Sequence, residues 1–231
     1  MRMVHGTEVL TELAELVDPA RTALVIVDLQ RDFCADDGVA GRAGRDLAMV
    51  KKAVANTRSV LDAARAVGVL PIFVQNIWLS ALRSVSGPWL RALVANGTVD
   101  IEKGWTLLGT PGAEIAPEIA PRAGDIVVQK FRSSAFFGTG LATILRANGI
   151  RSVICVGAVT EGCLESTARD AVFHDFYTVV LDDCVGSFDP QLHEAALKVL
   201  KTRCDVVPSS HVVDVWSKSA RREKSRRAGT A

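Results

Sequence analysis

The chain has 231 residues, of which 48% are hydrophobic and 23% are charged, and its formal net charge at neutral pH is +1. This length and apolar content are enough for one substantial hydrophobic core, so we expect one main domain. The small net charge gives no reason to expect nucleic acid or anionic lipid as a partner.

Short runs rich in Val and Ile alternate with longer segments of helical periodicity, a pattern typical of strand and helix units around a parallel sheet. The fold class predicted from this pattern is α/β, a three-layer αβα arrangement with a Rossmann-like sheet of about six mostly parallel strands flanked by helices. The predicted strands lie at residues 23–28, 70–75, 126–130, 152–156, 178–181 and 206–207. The predicted helices lie at about residues 44–67, 140–148, 163–174 and 190–202.

One long segment interrupts this alternation. Residues 76–124 are rich in Gly, Pro and Ser, with only weak helix signals at 89–94 and 113–119. An irregular insertion of this length inside a compact domain is usually a lid or a binding loop. We therefore expect it to border the functional site.

The predicted domain spans residues 19–217, with an N-terminal extension at 1–18 and a basic tail at 218–231. The tail is predicted to be disordered and solvated, although a basic tail can also bind RNA or a partner subunit. No apolar run is long enough to span a membrane, and the N-terminus lacks the apolar core of a signal peptide. We therefore expect a cytoplasmic protein, in which the five widely spaced cysteines are free thiols.

Three reactive residue types stand at or just after the ends of predicted strands. Asp28 ends the first strand, Lys130 ends the third, and Cys163 begins the helix after the fourth. The carboxyl ends of parallel strands share one edge of the sheet, where ligands bind. A helix start and a nearby lysine favour thiolate, and a carboxylate between them can move a proton. The three residues together therefore indicate nucleophilic catalysis by a cysteine.

Each of these residues also has a purely structural interpretation. An isolated Asp at a strand end is usually a cap, an isolated Lys is usually solvated, and a Cys at a helix start is usually part of the core. Their convergence at one sheet edge favours a functional site over three unrelated structural roles.

The sequence resembles the isochorismatase-like cysteine hydrolase family over about residues 19–216. The resemblance is carried, in order, by VIVDLQRDF at residues 25–33, GDIVVQK at 124–130 and GAVTEGC at 157–163. It implies a catalytic triad of Asp28, Lys130 and Cys163 and a cis peptide bond between Ala158 and Val159. It also implies an oxyanion hole made by the backbone N–H groups of Val159 and Cys163.

The nicotinamidases of this family hold a metal with an Asp-x-His-x-x-His motif after the second strand. The four histidines of this chain are His5, His174, His193 and His211, so the insertion contains none. We therefore expect no catalytic metal and no cofactor.

Within the family, the chain is closest in motifs to ureidoacrylate amidohydrolases and related carbamoyl-cleaving members, through residues 75–78 (QNIW) and 103–105 (KGW). This resemblance predicts cleavage of a C–N bond in a small ureido acid or linear amide through a covalent thioester. Asn76 would bind an amide or ureido group, and Trp78 and Phe33 would stack on a flat substrate. Either Arg132 or Arg83 would pair with a carboxylate. Glu161 departs from the pattern, because ureidoacrylate enzymes have a neutral amide there.

Alternative functions are another small-amide hydrolase of the family, of the biuret, maleamate or nicotinamide type, and a non-catalytic binding protein on the same fold. Vinyl-ether hydrolysis is disfavoured because the members that perform it lack the cysteine. A nucleotide-dependent oxidoreductase is disfavoured because no Gly-x-Gly-x-x-Gly follows the first strand. The resemblance also implies a homodimer or homotetramer, for which the late helices supply apolar residues.

Overall fold

The computed structural model describes the backbone of residues 1–95 and 104–228 and the side chains of residues 1–95 and 104–221. Lys103, part of one motif used in the sequence comparison, lies outside the described residues. No helix in these two ranges is both long enough and apolar enough to cross a membrane.

A six-stranded parallel sheet forms the centre of the fold, as the sequence predicts. The N-terminal extension first makes a separate antiparallel hairpin from β1 (Arg2–Val4) and β2 (Thr7–Val9), which was not predicted. The order of the central sheet is β5-β4-β3-β6-β7-β8. Its strands are β3 (Thr22–Val27), β4 (Leu70–Asn76), β5 (Ile126–Lys130), β6 (Ser152–Ala158), β7 (Tyr177–Gly186) and β8 (Asp205–Val207).

Helices cover both faces of this sheet, which confirms the three-layer α/β prediction. The helix predicted at about residues 140–148 ends just before Gly149, whose φ of 68° is a left-handed conformation common after helix ends. The helices are α1 (Leu13–Leu16), α2 (Arg31–Cys34), α3 (Val39–Arg42), α4 (Ala48–Val67), α5 (Gly87–Ala95), α6 (Leu141–Ala147), α7 (Glu165–Phe173), α8 (Pro190–Leu200) and α9 (Ser209–Ala228).

Alternating residues of β3, β4, β6 and β7 pack into two separate hydrophobic cores, one on each face of the sheet. In β3, Leu24 and Ile26 pack towards α4 and α9, whereas Ala23, Val25 and Val27 pack towards α6, α7 and α8. This is the side-chain period of a strand buried on both faces. The sheet is therefore fixed from both sides, which gives the residues at its carboxyl edge a rigid base.

The C-terminal segment differs from the sequence prediction. Helix α9 continues to Ala228, so residues 218–228, predicted to be disordered, are helical in the structure. Arg, Lys, Ala and Glu dominate this stretch, and all four have high helix propensity. The helix is anchored at Trp216, which is 1% exposed and donates from Nε1 to the Val17 carbonyl over 2.8 Å.

The close approach of β6 to β3 requires glycine at position 157. Gly157 has a φ of 131°, and a Cβ atom there would lie 2.0 Å from the Val27 carbonyl oxygen. Val27 immediately precedes Asp28, so this approach also fixes the position of Asp28.

We expect Gly157→Ala to lower the free energy of unfolding by about 3 kcal/mol, because the new methyl group displaces backbone that cannot rotate away. Gly140→Ala is the matched control, since its Cβ would meet nothing closer than Ile144 Cδ1 at 4.0 Å. The measurement is urea unfolding followed by circular dichroism. An unchanged midpoint for Gly157→Ala would contradict this account of the contact between β3 and β6.

Candidate active site

The candidate site lies at the carboxyl edge of the sheet, where the chain changes direction. From β3 the chain adds β4 and β5 on one side, and β6, β7 and β8 then extend the sheet on the other. The crevice between β3 and β6 is thus the topological switch point, where ligands bind in open parallel sheets. Asp28 follows β3 there, and Cys163 lies five residues after the end of β6.

Asp28 is held in an uncommon backbone conformation. Its φ is 52°, in the left-handed region, which Asp tolerates better than most residues other than Gly. The Asp28 N–H still donates to the Val74 carbonyl over 3.0 Å, so the turn begins without losing the pairing between β3 and β4. The carboxyl group is fully buried.

Lys130 is the buried partner of Asp28. Its Nζ donates to Asp28 Oδ2 over 2.7 Å, and both side chains are 0% exposed. The same Nζ donates to the Arg132 carbonyl over 3.1 Å. Lys130 is paired in register with Asn76 at the end of β4, so the ion pair spans the end of that strand.

Cys163 completes the cluster. It lies in a single π-helical turn, Thr160–Leu164, that precedes α7, where the sequence predicts only the start of an α-helix. Its half-buried side chain is within hydrogen-bonding reach of both Asp28 and Lys130. The peptide bond between Ala158 and Val159 is cis, at the position that the family resemblance gives. The structure thus brings Asp28, Lys130 and Cys163 together.

Two polar contacts attach this π-helical turn to the neighbouring strand and helix. Thr160 Oγ1 lies 2.9 Å from His193 Nδ1 on α8, and the Ser187 hydroxyl donates to Glu161 Oε1 over 2.9 Å. Glu161 therefore reaches towards the end of β7. The π-helical turn that carries Cys163 is therefore held by its own strand β6, by α8 and by the segment after β7.

The protonation of the cluster differs from the sequence prediction. The pKa of Cys163 is raised to about 12, chiefly because the thiol is buried; Lys130 lowers this pKa in part, and the Asp28 carboxylate adds to the rise. Lys130 favours the thiolate, as the sequence predicts, but the sequence did not indicate how strongly burial disfavours it. Desolvation of the thiolate outweighs the attraction of Lys130.

The pKa values of Asp28 and Lys130 are both raised above their ordinary values. Burial raises the pKa of the Asp28 carboxyl, and Lys130 counteracts this only partly. Burial alone would lower the pKa of Lys130, but the charges of Asp28 and Cys163 outweigh it, so that pKa is also raised. Lys130 therefore stays protonated at neutral pH, and Asp28 holds a proton more readily than an exposed carboxyl does.

The residues predicted to contact substrate differ in how far they are free to do so. Asn76 is half-buried at the end of β4 beside Lys130, and its Nδ2 donates to Thr106 Oγ1 over 3.3 Å. Trp78 is 6% exposed and belongs to the hydrophobic core. The ring of Phe33 packs against that of Trp105, with 5.4 Å between centroids. Trp78 and Phe33 are thus largely engaged in packing within the protein. Asn76 lies beside Lys130 at the end of the neighbouring strand.

Arg132 is also occupied by protein contacts. Its Nη1 donates to the Ser84 carbonyl over 2.9 Å and to the Phe131 carbonyl over 2.6 Å. Its guanidinium group lies 5.7 Å from the centre of the Trp89 ring. Arg132 therefore binds the insertion in this structure.

Sequence reasoning assigned no role to two residues that organise the site. Gln30 is fully buried, donates to the carbonyls of Asn76 and Ala113 over 2.9 and 2.8 Å, and accepts from the Asn76 N–H. Asp32 accepts from the N–H groups of Val39 and Thr106. The signal available in the sequence was the position of Gln30 and Asp32 within five residues of the apolar run at 23–27, since polar residues so close to a buried strand need partners when they are buried.

The chain was compared with protein families and with individual known proteins. The family described as the isochorismatase domain matches residues 22–211. Ureidoacrylate amidohydrolase RutB from Agrobacterium fabrum is 35% identical over 185 residues, covering 77% of this chain and 81% of that protein.

Solved structures of hydrolases share the fold of this chain. A cysteine hydrolase from Pseudomonas syringae pv. phaseolicola 1448A has a TM-score of 0.73 at 25% identity and covers 87% of this chain and 94% of its own. N-carbamoylsarcosine amidase from Thermoplasma acidophilum has a TM-score of 0.63 at 30% identity and covers 82% and 96%. Both likenesses extend over most of each chain.

We expect Lys130→Ala to slow alkylation of Cys163 by iodoacetamide roughly tenfold or more, because loss of the ammonium raises the thiol pKa further. The rate at any pH below about 12 falls, and the rate curve moves to higher pH. Lys51→Ala, which removes an exposed partner of Asp36, is the control. Peptide mapping separates Cys163 from Cys204, the other partly exposed cysteine. An unchanged pH profile would show that Lys130 does not act on the thiol.

Proposed function

Because this chain belongs to the isochorismatase family and is a hydrolase of amide C–N bonds, we propose that Cys163 is its nucleophile, with Asp28 as acid and base and Lys130 as their electrostatic partner. The observation that carries the proposal is the buried ion pair of 2.7 Å with the thiol against both members. A nucleophile beside a base that a third group orients is the arrangement expected for covalent catalysis.

In the first half of the reaction, Asp28 accepts the thiol proton as the Cys163 sulfur attacks the carbonyl carbon. The thiol pKa of about 12 means that the sulfur is protonated at neutral pH, so this step needs a base in contact with it. Asp28 Oδ2 is engaged by Lys130, while the buried Oδ1 has no hydrogen-bond partner in the described part of the chain. Oδ1 is therefore the oxygen open to the incoming proton.

The oxyanion that forms is proposed to bind the backbone N–H groups of Val159 and Cys163. Support comes from the position of Cys163 in the π-helical turn that precedes α7, because N–H groups at the start of a helix lack carbonyl partners in a preceding turn. Asp28 then returns its proton to the departing nitrogen. The C–N bond breaks, the amine or ammonia leaves, and a thioester remains on Cys163.

In the second half, Asp28 removes a proton from water as the water oxygen attacks the thioester carbonyl. The C–S bond breaks, the acid or carbamate is released, and the proton held by Asp28 returns to the sulfur. One carboxyl group thus serves both halves. Its raised pKa suits this use, because a group that gives up a proton too easily is a poor acid for an amine leaving group.

We propose a small ureido acid or linear amide as the substrate. Support comes from two relatives whose names refer to ureido and N-carbamoyl compounds, both of which contain a carbonyl carbon between two nitrogens. Asn76, at the strand end beside Lys130, is the proposed contact for the amide or ureido group. A panel of ureidoacrylate, carbamoylated amino acids, biuret, maleamate, nicotinamide and simple amides, assayed for ammonia release, separates the possibilities.

Cys163→Ala is expected to abolish turnover of whichever panel member is cleaved, and Asp28→Asn is expected to slow it by roughly 100-fold or more, because the amide keeps the shape but cannot take the proton. Asp36→Asn, which alters an exposed carboxylate, is the control. The assay is ammonia release at saturating substrate. Near-parental turnover by Asp28→Asn would mean that Asp28 is a structural cap.

Turnover is expected to be unaffected by EDTA. The insertion after β4 contains no histidine, and no group of three His, Cys, Asp or Glu side chains within the described residues is arranged to hold a metal. The measurement is ammonia release before and after prolonged dialysis against the chelator. Activity lost on chelation and restored by zinc or iron would overturn this prediction.

A further inference from the structure

We propose that Arg132 is a positioning residue that couples the docking of the insertion to the ammonium group of Lys130. The proposal rests on the proposed role of Lys130 beside Cys163. It gives Arg132 a task different from the substrate contact that the sequence predicts.

The backbone of Arg132 contacts the triad directly. Lys130 Nζ has two acceptors, Asp28 Oδ2 at 2.7 Å and the Arg132 carbonyl at 3.1 Å. The direction of the ammonium group therefore depends on the peptide group that follows Arg132. A shift of this peptide moves one of the two acceptors and changes how Lys130 meets Asp28 and the thiol.

The side chain of the same residue binds the insertion. Nη1 donates to the Ser84 carbonyl over 2.9 Å, and the guanidinium group stacks on Trp89 at 5.7 Å. A second bond from Nη1 to the Phe131 carbonyl keeps the side chain folded against its own backbone. Movement at Ser84 or Trp89 is thus transmitted to the peptide that holds Lys130.

The insertion needs such an anchor. Helix α5, which carries Trp89, contributes no fully buried residue, and Val94 on it is 66% exposed. The segment before it includes Ala81 and Leu82, both with φ of 54°, a conformation that residues with a side chain adopt rarely. A segment with so little burial is held by individual contacts, and Arg132 supplies two of them.

The test measures alkylation of Cys163 by iodoacetamide across pH, together with kcat and KM for the substrate found in the panel. Arg132→Ala is expected to slow alkylation about threefold to tenfold and to move its pH dependence upward by about half to one pH unit, because Lys130 is less well placed to favour the thiolate. Arg132→Lys should fall between it and the parent, since lysine can reach one acceptor but lacks the planar fork.

Trp89→Leu removes the stacking surface at a distance from the triad and is expected to slow alkylation in the same direction by a smaller factor. The double variant should be no slower than Arg132→Ala, because both changes act through one connection. Arg91→Ala, an exposed arginine on the same helix, is the matched control and should match the parent. If Arg132→Ala does not fold, Trp89→Leu with the Arg91→Ala control still carries the test.

A direct contact with a substrate carboxylate predicts a different result. Iodoacetamide has no carboxylate, so Arg132→Ala would then raise KM and leave alkylation and its pH dependence at parental values, which would overturn the proposal. Failure of the proposed function is distinguishable, because it would appear as turnover that survives Cys163→Ala. Slowed, pH-shifted alkylation in Arg132→Ala and Trp89→Leu, with thermal midpoints near the parent, would support the coupling.

Discussion

The buried ion pair of Asp28 and Lys130 is the interaction on which the geometry of the site depends. Both side chains are fully excluded from solvent, and removing charges from water is costly unless they are paired. Loss of one partner of such a pair costs about 3 to 5 kcal/mol, whereas a well-packed apolar pair in the same place is often as stable or more so. Stability alone therefore does not explain why two charged residues are buried here. A functional role explains it better, because the pair contacts a thiol at the switch point of the sheet.

Backbone geometry makes this convergence possible. Asp28 turns out of β3 with a φ of 52°, and Gly157, with a φ of 131°, lets β6 pass against Val27 just before it. The following π-helical turn then carries Cys163 back over the end of the sheet. The sheet is rigid because both its faces are packed, so these local departures set the positions of the reacting atoms without disturbing the core.

The elements that the sequence predicts best are those with the strongest periodic signal. The Val and Ile runs locate every strand of the central sheet, although β7 extends five residues past its predicted end. The residues at or shortly after the strand ends locate the cluster of Asp28, Lys130 and Cys163. The raised thiol pKa was not predicted because the burial of Cys163 depends on tertiary packing against residues distant in sequence, which no local pattern encodes. The contacts of Arg132 with Ser84 and Trp89 were not predicted for a related reason, since these partners lie in an irregular segment about 45 residues earlier.

A thiol that is neutral at rest changes how the proposed reaction begins. With a pKa of about 12 for Cys163, transfer of its proton to Asp28 is unfavourable on its own. The transfer becomes favourable only as the sulfur bonds to carbon and the negative charge moves to the substrate oxygen, where N–H groups can meet it. The nucleophile is thus formed in the presence of substrate and not before. Because oxidants attack the thiolate, the same burial that raises the thiol pKa protects Cys163 between turnovers.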